Sequence, residues 1–149
     1  MGRAAPLLLL LSWTAPACSD AAAEAVRSCE RLAEGLPAAF DLTDAPLDTR
    51  EGLDRLRAFA DSVDALRPHA RRYGALVGVD TLQGVLMAWR SAERAGGAAR
   101  AIAEAEPWDG GPDEAAASRL WWYLEARDDF GLEVELLRYG APCPSVVGR

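Results

Sequence analysis

Alternating runs of β-branched and aromatic residues, the pattern of a half-buried strand, are nearly absent from this sequence, while alanine, leucine, arginine and glutamate dominate. Apolar residues recur instead at spacings of three and four, the period of a helix with one buried face. The expected fold class is all-α.

Helix caps and stops divide the chain into four long segments. The first is expected to begin with Ser19 or Asp20 as its cap, to run along Ala22, Val26, Cys29 and Ala33, and to stop at Gly35 with Pro37 beyond. Residues 38–47 then form a connection that Phe40 and Leu42 can pin to the core. Asp48 followed by Glu51 starts helix two, which buries Leu53, Leu56, Phe59 or Ala60, Val63 and Leu66. Pro68 predicts a kink or a new short helix ended by Gly74. Asp80 caps helix three, with Leu82, Val85 or Leu86, Trp89 and Ala92 in its stripe; Gly96-Gly97 loosens it before Ala98, Ala101, Ile102 and Ala105, and Pro107 ends it. A turn at Asp109-Gly110-Gly111 and Pro112 precede helix four.

Helix four carries more apolar residues than one face can bury. Ala117, Leu120, Trp121 and Leu124 share a narrow arc; Phe130, Val134 and Leu137 fall well away from it, and Leu132, Leu136 and Tyr139 lie on another side. A break at Asp128-Asp129-Phe130-Gly131 is expected, with two-sided burial of the last segment as the alternative. Long segments with short connections give an antiparallel four-helix bundle with breaks in helices two and four.

The N-terminus reads Met1-Gly2-Arg3, an apolar run through Leu7, Leu11 and Trp13, and then Ala15-Pro16-Ala17 before Cys18. A basic start, a run too short to span a bilayer and a small-residue end are the parts of a cleavable signal peptide. That organisation gives a signal over residues 1–17 and one helical domain over 18–149, in the size range of a single core. The cysteine after the small residues resembles the lipobox of bacterial lipoproteins, which implies a diacylglycerol thioether on Cys18 and attachment to a membrane of the cell envelope. Plain secretion with an ordinary thiol at Cys18 is the other reading. Three cysteines in an oxidising compartment leave one over. If the lipid takes Cys18, Cys29 and Cys143 can pair as a disulfide; two inert buried thiols are the alternative.

Charge and composition exclude more than they identify. The chain carries a net −7, and without Arg3 the domain has 15 basic and 23 acidic groups, a net −8. Such a surface does not grip nucleic acid. All 16 basic residues are arginine, so no lysine can form a Schiff base or serve as an amine base. His69 has no ligand partners at metal spacing, and with Met87 it would make the only internal pair of axial haem ligands. Neither a metal nor another cofactor is expected. Glu125, Asp128 and Asp129 can gather on one helix turn, where a solvated acidic face is the plainer reading than paired-acid catalysis or cation binding. The segment Asp109-Gly110-Gly111-Pro112-Asp113 lacks the ligand alternation of a calcium loop.

Trp121-Trp122-Tyr123 is the most unusual stretch. Consecutive helical side chains differ by about 100°, so one large aromatic must reach a rim, a covering loop or solvent. These three residues are the candidate binding site, with the connection after helix one as a possible cover for Trp122. No catalytic residues are assigned. The leading reading is a non-enzymatic interaction domain, exported to the bacterial envelope or periplasm, with a protein partner of unknown identity. A helical module binding a small apolar ligand comes second, and an enzyme using carboxylates third.

Overall fold

The computed structural model describes residues 16–44, 46–77, 84–105 and 114–143, apart from the side chains of 16–19. The signal segment up to residue 15, the side chain of Cys18, Asp80, Leu82, Pro107 and the turn at 109–113 therefore lie outside the described residues. Four helices follow in order: α1 (Pro16–Phe40), α2 (Arg50–Val77), α3 (Val85–Glu104) and α4 (Glu114–Tyr139), with a short 3-10 turn at Asp41–Thr43 after α1. They form an all-α four-helix bundle. Packing runs α1 on α2, α2 on α3 and α3 on α4, with smaller contacts closing α1 onto α3 and α4.

Cross-links between neighbours show how the helices run. Arg72 near the end of α2 meets Glu24 near the start of α1 at 3.1 Å, and Arg57 near the start of α2 donates to the Ala103 carbonyl at the end of α3 at 2.7 Å. Arg94 on α3 pairs with Asp129 on α4 at 3.1 Å. Phe40 at the end of α1 meets Phe130 in the second half of α4, ring centroids 5.3 Å apart and edge to face. Arg127 reaches the Thr43 hydroxyl at 3.3 Å, and Arg138 reaches Asp41 at 2.9 Å. Phe130 also stacks on Phe59 of α2 with 6.0 Å between centroids. Helix α1 therefore ends opposite the second half of α4, and the first half of α4 extends beyond it.

Each helix buries one stripe. In α1 the buried residues are Ala25, Ser28, Cys29, Leu32, Leu36 and Ala39, a frame set by the two leucines; of the expected stripe Cys29 is buried, while Val26 and Ala33 are only half-buried and Ala22 is exposed. In α2, Leu56, Phe59, Ala60 and Val63 are buried as expected, and Ala70 and Tyr73 extend the stripe. The interior of α3 is made mainly of Val85, Ala88, Trp89, Ala92, Ala95, Ala99 and Ile102. Phe40 and Leu42, the expected anchors of the connection, pack against this core.

Three expected interruptions are absent. Helix α1 passes through Gly35 and Pro37 to Phe40. Helix α2 passes through Pro68 and Gly74 to Val77 without a new start, and α4 is unbroken across 128–131. A proline costs one amide donor, but continuing the helices buries Leu36, Ala39, Ala70 and Tyr73. Two of the glycines are points of close approach. A Cβ on Gly35 would lie 2.6 Å from Cδ2 of Leu66, and one on Gly131 would lie 3.0 Å from Cζ of Phe40. The start of α2 also differs by one residue: Thr49, not Asp48, supplies the cap, its hydroxyl accepting the Gly52 amide at 3.0 Å while donating to the Pro46 carbonyl at 3.1 Å.

Cys29, fully buried on α1, and Cys143, just beyond α4, have Cα atoms 5.7 Å apart and are joined Sγ to Sγ at 2.11 Å. The bond ties the chain end to α1 across a sequence separation of 114 residues. Replacing both cysteines with serine is expected to lower unfolding free energy by about 4 to 5 kcal/mol on chain entropy, read from denaturant midpoints of the oxidised protein and the variant. Two glycines should respond in opposite directions. Gly74→Ala meets open space and should stabilise by about 0.5 to 1 kcal/mol through helix propensity. Gly52→Ala would drive its methyl into the Pro46 carbonyl that helps hold the Thr49 cap and should destabilise by about 2 kcal/mol or more.

Candidate interaction surface on helix four

Helix α4 resolves its surplus of apolar residues by facing two ways. Tyr123, Phe130, Val134 and Leu137 are buried, on one stripe of threes and fours that also includes position 127. Trp121, at one edge of the arc expected to face the bundle, lies about 180° from Phe130 and points outward, while Leu120 at the other edge packs against the core. Trp121 is 56% exposed and Trp122 59% exposed. Their rings meet edge to face at 5.0 Å, so the two indoles form one projecting unit. The connection after α1 does not cover Trp122. Both indoles lie off the stripe of Tyr123, Phe130 and Val134 that faces the bundle, and this explains their exposure.

Tyr123 must be removed from the candidate binding set. Its side chain is fully buried, because its position on the helix belongs to the Phe130 stripe and not to that of its tryptophan neighbours. Stepping back from Phe130 by seven residues reaches Tyr123, a signal already present in the sequence. The phenolic oxygen is buried with no hydrogen-bond partner. Burial pushes its pKa up to about 12, while the nearby Arg127 guanidinium acts in the opposite direction.

The outward side of α4 extends further than the tryptophans. Leu132, Leu136 and Tyr139 are all strongly exposed, and Leu124 is partly so. Beside Leu132 an open groove of about 420 Å³ is lined by Phe40, Arg127, Asp128, Gly131, Leu132 and Glu135. Leu132, Leu136 and Tyr139 share the side of Trp121, within about 60° of it, and not the separate side expected from their spacing.

Other candidate chemistry does not converge. Glu125 and Asp128 are exposed, and Asp129 is tied to Arg94. His69 is half-buried on α2, and Met87 on α3 is 38% exposed. Among the described residues no group of three or more His, Cys, Asp or Glu side chains is arranged to hold a metal ion. A second crevice, of about 170 Å³, lies between α2 and α3 beside Arg67 and Arg100. Its charges are already matched: Arg100 binds Asp61 at 3.0 Å and Asp64 at 2.7 Å, while Arg67 binds Asp64 and Glu93 and lies 5.9 Å from the Trp89 ring centre. The hydrogen bond from Arg67 lowers the Asp64 pKa; burial opposes it, and the charges of Arg67 and Arg100 add to the lowering. Neither of these two crevices is lined by Trp89, Trp121 or Trp122. No helix among the described residues is long and apolar enough to cross a membrane.

The Tyr123 phenol gives a pH prediction with a definite sign. The unfolded chain ionises this group near pH 10 and the folded protein only near 12. Its contribution is therefore complete below pH 10 and is lost as pH rises from about 10 to about 12, by about 3 kcal/mol at most. Tyr73, also raised by burial, adds in the same direction. Tyr123→Phe should flatten this alkaline loss in denaturant titrations. At neutral pH it should leave stability unchanged or raise it by about 1 kcal/mol, because the hydroxyl it removes has no partner.

No family model matches this chain, and no curated protein or solved structure matches it either.

Proposed function

We propose that this chain is an exported protein of the bacterial cell envelope, anchored by a lipid on Cys18, that works as a non-enzymatic interaction domain through Trp121 and Trp122. The basic, apolar and small-residue parts of its N-terminus support export. The lipid reading is supported by the lipobox-like approach to Cys18. It also fits the cysteine count, since Cys29 and Cys143 are joined to each other and Cys18 is the odd one. In an oxidising envelope that bond would be kept.

The observation that carries the interaction reading is the pair of indoles, each more than half exposed and packed edge to face on each other. Large aromatics are costly to leave in water, and they are the residues that most often dominate binding energy where proteins meet. A bundle of this kind offers a partner a rigid helix and two rings already held together. Binding therefore needs little ordering of the surface.

Two measurements test the proposal. Intact mass of protein from its native host should show cleavage before Cys18 and a lipid on that residue. Retention of residues 1–17 would overturn export, and a cleaved, unmodified Cys18 would overturn the anchor alone. Trp121→Ala with Trp122→Ala should change unfolding free energy by no more than about 0.5 kcal/mol per site, as exposed positions do. The same variant should lose crosslinked envelope partners that the unaltered protein captures. An unfolded variant, or undiminished capture, would overturn the role of the indoles.

A further inference from the structure

We infer that the whole outer face of α4, from Trp121 to Tyr139, is the docking surface for a basic amphipathic helix of a partner protein. This rests on the interaction reading above and adds the chemistry of the partner. Trp121, Leu132, Leu136 and Tyr139 fall within about 60° of helix arc, with exposures of 56%, 70%, 67% and 87%. They form a second apolar stripe on the side opposite Tyr123, Phe130 and Val134, flanked by Trp122 and Leu124. From Trp121 to Tyr139 the stripe runs about 27 Å at 1.5 Å per residue, a length that suits another helix.

The charges on this face are mainly of one sign. Glu125, Asp128 and Glu135 are exposed among the apolar residues. Glu125 and Asp128 enter none of the salt bridges among the described residues, while Arg138 at the margin is shared between Glu135 and Asp41. The groove beside the stripe has Phe40 and Leu132 as apolar lining and Asp128 and Glu135 as acidic lining. Its one cation, Arg127, is engaged with Thr43. An apolar floor with acidic edges fits a helix that inserts leucine or aromatic side chains and surrounds them with arginine or lysine.

The same charges disfavour two other occupants. An antiparallel second copy that set Trp121 against Leu136 would bring Asp128 of one chain against Asp129 of the other, and a parallel copy would set each carboxylate near its own image. Like charges facing across an interface are repulsive. An anionic bilayer surface would be repelled for the same reason.

The test uses the full mature chain and three synthetic helical peptides of about three heptads, each with leucine at a and d and with arginine, glutamine or glutamate at the remaining polar positions. Binding is followed by tryptophan fluorescence and calorimetry, and the mass of the chain alone by sedimentation. The arginine peptide should bind, and the glutamate peptide should bind at least about tenfold more weakly, with the difference shrinking in high salt. Leu132→Glu with Leu136→Glu should weaken the arginine peptide by about tenfold or more while leaving helix content and melting temperature unchanged. Glu125→Arg with Asp128→Arg should reverse the preference between the arginine and glutamate peptides.

Equal binding of the three peptides, no binding of any, or indifference to the leucine and charge variants would overturn the inference. So would a dimer of the chain alone that the leucine variant dissolves, which would assign the face to a second copy. If the tryptophan variant loses native partners but no peptide binds, the interaction reading stands and only this extension fails. If the tryptophan variant retains its partners, the interaction reading fails too.

Discussion

The contact between Phe40 and Phe130 sets the register of the bundle. Phe130 is fully buried, lies edge-on to Phe40 and stacks on Phe59, so one ring of α4 is held by α1 and α2 at once. Gly131 makes the approach possible, since a methyl there would press on the Phe40 ring. Because α1 ends at Phe40, this contact decides how much of α4 has α1 beside it. The bond between Cys29 and Cys143 agrees with that register, joining a point earlier on α1 to the chain just past α4. By holding Phe130 inward, the contact also fixes which side of α4 faces out, and Trp121 lies opposite that ring.

Sequence patterning was most informative where one face of a helix outweighed the others. Four helices, the buried stripe of α2 through Leu56, Phe59 and Val63, and the α3 stripe through Val85, Trp89 and Ala92 were legible from spacing, whereas Ala101 and Ala105 of the expected second half of α3 are exposed. Glycine and proline were the main source of misreading. Gly35 and Gly131 look like stops because glycine is a poor helix former, but here their missing side chains admit Leu66 and Phe40. A terminating glycine and a close-packed glycine are the same letter, and only the neighbour across the interface tells them apart. Helix α4 posed a different difficulty. It has apolar residues on opposite sides, and periodicity alone does not say which side faces inward. The large Trp121 drew the expected core onto the wrong arc, whereas Tyr123, Phe130, Val134 and Leu137 fill the interior.

Arginine supplies the polar seams between helices. Arg100 bridges Asp61 and Asp64, Arg67 joins Asp64 to Glu93, and Arg94 joins α3 to Asp129 of α4. These side chains are substantially solvated, so each pair adds little to stability. Their geometry matters more: the planar fork of arginine can hold carboxylates from two helices at once, and a lysine ammonium has no such fixed directions. Stability must come mainly from the buried aromatics and leucines and from the Cys29–Cys143 cross-link. The alanines of α3 let helices approach closely but bury little area apiece.

The outer face of α4 is not required by this fold. Polar residues with good helix propensity could occupy positions 121, 132, 136 and 139 without loss of core, since the core contacts of α4 lie on its other side. Instead those positions hold Trp, Leu, Leu and Tyr, which add an association hazard to an otherwise acidic surface. Single exposed leucines are ordinary on a protein surface. A stripe along one helix, beginning at two indoles packed edge to face and bordered by carboxylates, is a different case, because its parts are spaced for another helix and its border carries mainly one electrostatic sign. Folding accounts for the inner stripe of α4; the outer one has the form expected of a surface completed by another chain.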